Sequence, residues 1–338
     1  MYFFLNIIFK YNIILLFNII IYYNLLKMFF FIFFLININI IYNKKPVIGI
    51  YGIPNVSNFQ NSFHNTSIID GALIRYVEDM GGSPLLIPQW LSFSEIENIL
   101  HKINGVIFPG LAKNISTKGP WEDNINFILK FSIKNKLPVY GICRGFLMIN
   151  GILANANEKF YQNHNHKGND LVIFNKKTRK SRLFSLFDDK NFMEFENLKT
   201  TPYWQIYGFN ETNFNENKFL RENFDIILTG YDEKTKKHFV NAIESKKESG
   251  FNIYGTQFHP EKVPYIRDFR YRHQHEMDSL KRSQLIIMFF IEECRKNNNT
   301  FSNEDKKEKK YYFLNGYHKN VWYKFHHNYT TNYFTYFK

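Results

Sequence analysis

The feature that most constrains the fold is an alternation running from Pro46 to Ile142, in which short apolar runs take turns with segments of helical period. Pro46-Val47-Ile48-Gly49-Ile50-Tyr51, Leu85-Leu86-Ile87, Gly105-Val106-Ile107-Phe108-Pro109-Gly110 and Pro138-Val139-Tyr140-Gly141-Ile142 read as strands buried on both faces, since none alternates apolar with polar. Between them, the stretch from Ile68 to Met80 repeats Ile69, Leu73, Tyr76, Val77 and Met80 at helical spacing and stops at Gly81-Gly82. A second helix, Ser94 to Lys102, is expected to begin in a capping box of Ser94 and Glu97, and a third spans Trp121 to Lys136. Such alternation implies an α/β fold, a doubly wound, mostly parallel sheet flanked by helices. Beyond Asn155 the pattern turns strand-like, with strands expected over Leu171 to Asn175, Phe224 to Tyr231, Phe239 to Glu244 and Asn252 to Gln257, and a closing helix over Met277 to Lys296.

The two ends differ from this body. Residues 1–42 are dominated by Phe, Ile, Leu and Tyr, and Met28 to Leu35 behind Lys27 has the form of a signal-peptide apolar core. The rival reading is a hydrophobic anchor, because about 20 continuous apolar residues span a bilayer. Secretory entry is the expectation, with the protein secreted or held in a vacuolar or lysosomal lumen and touching membrane only through this segment. Acceptor sequons at Asn55, Asn65, Asn114, Asn210, Asn298 and Asn328 fit a lumenal chain but arise easily by chance in one so rich in Asn. Residues 297–338, polar and aromatic without period, read as a C-terminal tail. Removing both ends leaves roughly 250 residues, 46–296, enough for one α/β domain with a sizeable core.

Of 338 residues only Cys143 and Cys294 are cysteines, far apart in sequence, so no disulfide framework is indicated. The net charge of +13 is scattered among Asn, Ile, Phe and Tyr rather than gathered on a motif that reads or stacks bases, and no nucleic-acid partner is expected.

The sharpest local signal is Gly141-Ile142-Cys143-Arg144-Gly145, set between a buried strand and the helical run Phe146 to Leu153. A nucleophile on a tight strand-to-helix turn needs small neighbours so that the backbone can fold close to itself. A sulfur there sits at a helix N-terminus, whose free amides favour thiolate, and the Arg144 amide is placed to donate to a developing oxyanion. Downstream, the strand Tyr254-Gly255-Thr256-Gln257-Phe258 ends in His259-Pro260-Glu261. Nucleophilic sulfur needs a base, imidazole titrates in the right range, and a carboxylate two residues on can fix its tautomer. Ligands of open α/β sheets sit at the carboxyl ends of the strands, where both motifs fall.

Together the motifs resemble the γ-glutamyl hydrolases, the branch of the class I glutamine-amidotransferase-like families that cleaves folate polyglutamates. The resemblance covers most of Pro46 to Lys296 through four segments in order: Lys45 to Ile50, Asn104 to Gly110, Gly141 to Phe146, and Gly255 to Lys262. It implies a flavodoxin-like sheet and a thioester mechanism, with Cys143 as nucleophile, His259 and Glu261 assisting, and Gly110 and Arg144 supplying oxyanion amides. It implies no cofactor and no metal, a small-molecule γ-glutamyl substrate, and is compatible with a homodimer. Four positions depart from the family's pattern: Leu111 replaces a second glycine, Leu147 and Met148 an acidic pair, and Gln205 a histidine. These bear on substrate choice. Gly-Ile-Cys-Arg-Gly also resembles hydrolases of γ-glutamyl-aminobutyrate, and a silent γ-glutamyl-binding relative is a third reading.

His164 and His166, two apart with no further ligands, are expected in a solvated loop rather than a metal site. The basic run Lys176 to Arg182 reads as a solvated loop, with steering of a polyanionic substrate as its functional alternative. Glu78 and Asp79 close a helix and carry no evident chemistry.

Overall fold

A computed structural model of the protein describes residues 21–31, 45–54, 66–110, 119–265, 275–307, 312–313, 321–326 and 329–337. The chain divides into two units, Met1–Lys44 and Lys45–Lys338. In the first, residues 21–31 are helical, with Tyr22, Phe29 and Phe30 exposed and Lys27 Nζ 4.5 Å over the Tyr23 ring. The remainder of the leader expected over 1–42 lies outside the described residues. Among the described residues no helix is long and apolar enough to cross a membrane.

The second unit is built on a sheet in which five consecutive strands are parallel: β1 (Val47–Tyr51), β4 (Ser83–Ile87), β5 (Gly105–Phe108), β6 (Val139–Ile142) and β12 (Ile253–Thr256), in spatial order β4-β1-β5-β6-β12. Every residue of β4, β5, β6 and β12 is buried, as unalternating apolar runs require. The crossovers are α1 (Gly71–Asp79), α2 (Phe93–Leu100) and α3 (Pro120–Asn135), and α4 (Arg144–Leu153) follows β6. Because β4 and β5 lie on opposite sides of β1, the winding reverses there, and the two faces carry separate cores. One core gathers Leu73, Val77, Ile287 and Phe290, the other Ile96, Leu129, Ile149 and Phe146.

The remaining elements are β2 (Ile53–Pro54), β3 (Thr66–Asp70), β7 (Gln162–Asp170), β8 (Ile173–Phe174), α5 (Asp189–Asn197), β9 (Thr201–Gly208), α6 (Glu211–Glu216), α7 (Lys218–Asn223), β10 (Phe224–Asp232), β11 (Lys237–Ser245), α8 (Met277–Arg295), α9 (Asn303–Lys307), β13 (Tyr312–Phe313), β14 (Val321–His326) and β15 (Tyr329–Phe337). Antiparallel β11, β10 and β8 extend the sheet beyond β12, and β13 pairs with β4 at the other edge. The tail therefore contributes strands, with β15 pairing β3 in a second sheet of order β14-β15-β3-β2.

Three local expectations are corrected. The first helix begins at Gly71 rather than near Ile68, because Thr66–Asp70 is a strand and the Asp70 carboxylate accepts from Ala72 N at 2.9 Å as its cap. The capping box is Ser92 with Glu95, not Ser94 with Glu97: Ser92 N donates to Glu95 Oε2 at 2.8 Å and Glu95 N to Ser92 Oγ at 3.4 Å. Both Ser-x-x-Glu spacings satisfy the pattern, and the earlier one adds to the turn that buries Ile96 and Ile99. His164 and His166 are buried strand residues of β7, packed edge-on against Phe239 and, for His166, Tyr203.

Candidate active site

Cys143 directly follows β6 and caps α4 with φ 51° and ψ −106°, a conformation L-residues rarely adopt. Its glycine neighbours make the turn possible. A Cβ on Gly145 would stand 2.1 Å from the Phe108 carbonyl oxygen, and one on Gly141 2.9 Å from the Phe146 nitrogen, both contacts with backbone that cannot give way. Cys143 N donates to Thr256 O at 2.8 Å and Gly145 N to Pro109 O at 3.1 Å, tying the elbow to the ends of β12 and β5.

The imidazole arrives from the end of β12, which lies beside β6 with Thr256 paired to Ile142. Its segment is fixed on every side. Gln257 N donates to Asn241 O and His259 N to Pro202 O, Thr256 Oγ1 donates to Phe258 O at 3.2 Å, and Ser283 Oγ of α8 donates to Pro260 O at 2.6 Å. His259 Nδ1 lies 2.8 Å from Glu261 Oε1, with both residues buried. The Cε1 edge of the same ring stands 2.7 Å from where a Cβ on Gly110 would be, and Cys143 Cβ stands 3.3 Å from that point. Gly110, Cys143 and His259 thus share one small space that a side chain at 110 would fill. Leu111 lies outside the described residues.

The charges follow from this packing. Burial opposes a charged His259, but the neighbouring Cys143 sulfur and the Glu261 carboxylate outweigh it and hold the imidazole well above its ordinary 6.5. Lys262 Nζ contacts the Asp70 carboxylate and lies 3.8 Å from Glu261 Oε1. Burial alone pushes Lys262 down to about 7, and the adjoining Asp70 carboxylate works against that loss of charge.

The Arg144 side chain packs against the start of α3. Its guanidinium is buried 3.6 Å from Glu122 Oε1 and stacks 5.6 Å over Trp121; burial lowers its pKa and Glu122 counteracts. Its backbone amide opens α4, one residue past Cys143. Leu147 and Met148 are buried in the core on that face of the sheet. Gln205 lies in β9 opposite His166, buried, with neither amide atom hydrogen-bonded.

Two contacts on the sulfur escape the motif reading. Cys143 Sγ donates toward the Trp204 carbonyl at 3.9 Å, and Gln257 Nε2 donates toward Sγ at 3.8 Å. The second leaves a sequence trace only in the position of Gln257, directly after β12 and two residues before His259. The first depends on where the β7–β9 pair folds back. In that pair, His164 Nδ1 lies 3.3 Å from Asp232 Oδ2, and His166 Nε2 lies 3.4 Å from Asp170 Oδ2. Among the described residues no group of three or more His, Cys, Asp or Glu could hold a metal ion. The basic run 176–182 is partly engaged: Lys177 contacts Asp225, and Arg182 donates to Ser245 O and lies over the Tyr254 ring.

Residues 65–275 match the family described as glutamine amidotransferase class-I. The chain is 28% identical over 235 residues to the gamma-glutamyl hydrolase of Mus musculus, covering 66% of this chain and 69% of that protein. It is 27% identical over 260 residues to the gamma-glutamyl hydrolase of Rattus norvegicus, covering 74% and 77%, and 27% identical over 238 residues to gamma-glutamyl hydrolase 1 of Arabidopsis thaliana, covering 65% and 64%. The family match runs through both halves of the site, the Cys143 elbow and the His259 segment, and takes in well over half of the chain, which therefore belongs to the class-I glutamine amidotransferase family.

Proposed function

We propose that this protein is a cysteine hydrolase that cleaves γ-glutamyl amide bonds, with folate poly-γ-glutamates as the foremost substrates. The observation that carries the reading is a strained cysteine elbow facing an imidazole that a buried carboxylate orients at 2.8 Å. The gamma-glutamyl hydrolase names of the relatives support the choice of bond.

In this scheme Cys143 Sγ attacks the γ-carbonyl carbon, forming a C–S bond while the carbonyl π electrons move to oxygen. The amides of Gly110 and Arg144 receive that oxyanion. Collapse breaks the C–N bond, and His259 gives its proton to the departing amine. Water then adds to the thioester, His259 takes a proton from it, and the C–S bond breaks to release the acid and restore the thiolate. Glu261 keeps the imidazole in the tautomer and orientation this exchange needs. No step calls for a cofactor. γ-Glutamyl-aminobutyrate is the alternative substrate.

The test is incubation of the protein and its Cys143→Ala variant with a folylpoly-γ-glutamate and with γ-glutamyl-aminobutyrate, followed by product analysis. Wild type is expected to release glutamate from the first, and the variant to lose on the order of 10⁴-fold or more in rate. Release from neither substrate by folded wild type supports the silent, ligand-binding reading instead. The apolar composition of 1–42 supports entry into the secretory pathway, tested by N-terminal sequencing of the mature protein. A chain that retains Met1 contradicts a cleaved signal.

A further inference from the structure

We propose that Gln257 is a catalytic residue, its carboxamide N–H donating to the Cys143 sulfur so that the thiolate is held toward His259. The proposal deepens the hydrolase reading above and rests on Cys143 being the nucleophile.

The register of the sheet brings the two side chains together. In the parallel ladder Thr256 pairs with Ile142, so the next residues, Gln257 and Cys143, emerge side by side at the carboxyl ends of β12 and β6. The Gln257 backbone is pinned by its donation to Asn241 O at 2.8 Å, and Cys143 by its donation to Thr256 O at 2.8 Å. Gln257 is wholly buried, with Nε2 3.8 Å from the sulfur and Oε1 without a hydrogen-bond partner. A glutamine kept only for packing would gain nothing from a buried amide whose oxygen goes unmet. Directed at the sulfur, the N–H gives the amide its purpose.

The sulfur has two competing neighbours besides His259. As a thiol it donates to the Trp204 carbonyl at 3.9 Å, an acceptor that favours the protonated form. As a thiolate it can only accept, and the Gln257 side-chain N–H donates a hydrogen bond to it. Gln257 therefore tips the balance between these states, and it does so at the atom that forms the new bond.

The experiment follows alkylation of Cys143 by iodoacetamide against pH in the full-length protein, by mass spectrometry of the peptide carrying Cys143, alongside kcat and KM. Gln257→Met keeps the length and removes the donor; Gln257→Glu keeps the shape and sets an anion against the sulfur. The pH of half-maximal alkylation is expected to rise by about one unit in Gln257→Met and further in Gln257→Glu, with kcat lower by about tenfold in Gln257→Met and KM little changed. A purely structural role predicts no ordering of the two profiles by charge. Profiles of either folded variant that superimpose on wild type overturn the proposal. The nucleophile reading fails separately, through hydrolysis that survives Cys143→Ala.

Discussion

At the scale of single residues the site is defined by what cannot be changed. Gly145 is the clearest case, because the missing Cβ leaves room for the Phe108 carbonyl at the base of the elbow. Gly145→Ala is expected to lose about 3 kcal/mol or more in denaturant titration and to lose activity with it, since neither backbone can yield without opening the β5–β6 pair. Glu261→Gln is a gentler probe. It preserves volume but lets the side-chain amide donate where the carboxylate accepts, favouring the wrong imidazole tautomer. A drop in kcat on the order of 10²–10⁴-fold, with an unchanged unfolding midpoint, is expected from steady-state kinetics. His164 carries a separate consequence for acid stability. Burial lowers it to about 4 despite the nearby Asp232, so the folded protein holds it neutral while the unfolded chain protonates it near 6.5. Its contribution is intact above pH 6.5 and is lost as pH falls toward 4, by on the order of 3 kcal/mol. His164→Leu is expected to flatten that acid limb in urea titrations at pH 7, 5.5 and 4; an unchanged slope contradicts the account.

At the scale of elements the strand-helix alternation made the parallel half readable before any coordinates. The runs at Val47, Leu85, Val106 and Val139 are strands because they are buried on both faces, and burial of that kind leaves a continuous apolar signature. The elbow was readable because both glycines stand in the motif itself, although one of them, Gly145, is required by the distant Phe108 carbonyl. Features set by distant contacts were not. Asp70 reads as the interior of a helix until β3 takes its place in a sheet, and His164 and His166 read as polar loop until Phe239 and Tyr203 cover them. Asp70 now joins two elements, capping α1 and meeting Lys262 next to Glu261. Asp70→Ala is expected to cost about 1–2 kcal/mol, measured by chemical denaturation, from loss of the cap.

At the scale of the whole molecule the two cores share one sheet, so the site at its carboxyl edge depends on both. Phe290 of α8 is fully buried and lies 5.5 Å from the ring of Tyr140, a residue of the strand that ends at Cys143. The hydroxyl of Tyr140 meets Thr256 Oγ1 at 3.0 Å, linking that packing to the strand that carries His259. The sulfur and the imidazole are thus delivered by neighbouring strands braced by the same helix. This is why sequence motifs more than a hundred residues apart make one site, for which covalent chemistry at Cys143 is proposed. Its most direct test is an acid quench during turnover of a folylpoly-γ-glutamate, followed by peptide mass mapping. An acyl adduct is expected on the peptide containing Cys143, none on that containing Cys294, and none in Cys143→Ala. Glutamate release at the wild-type rate by Cys143→Ala, or an adduct seated on another residue, contradicts it.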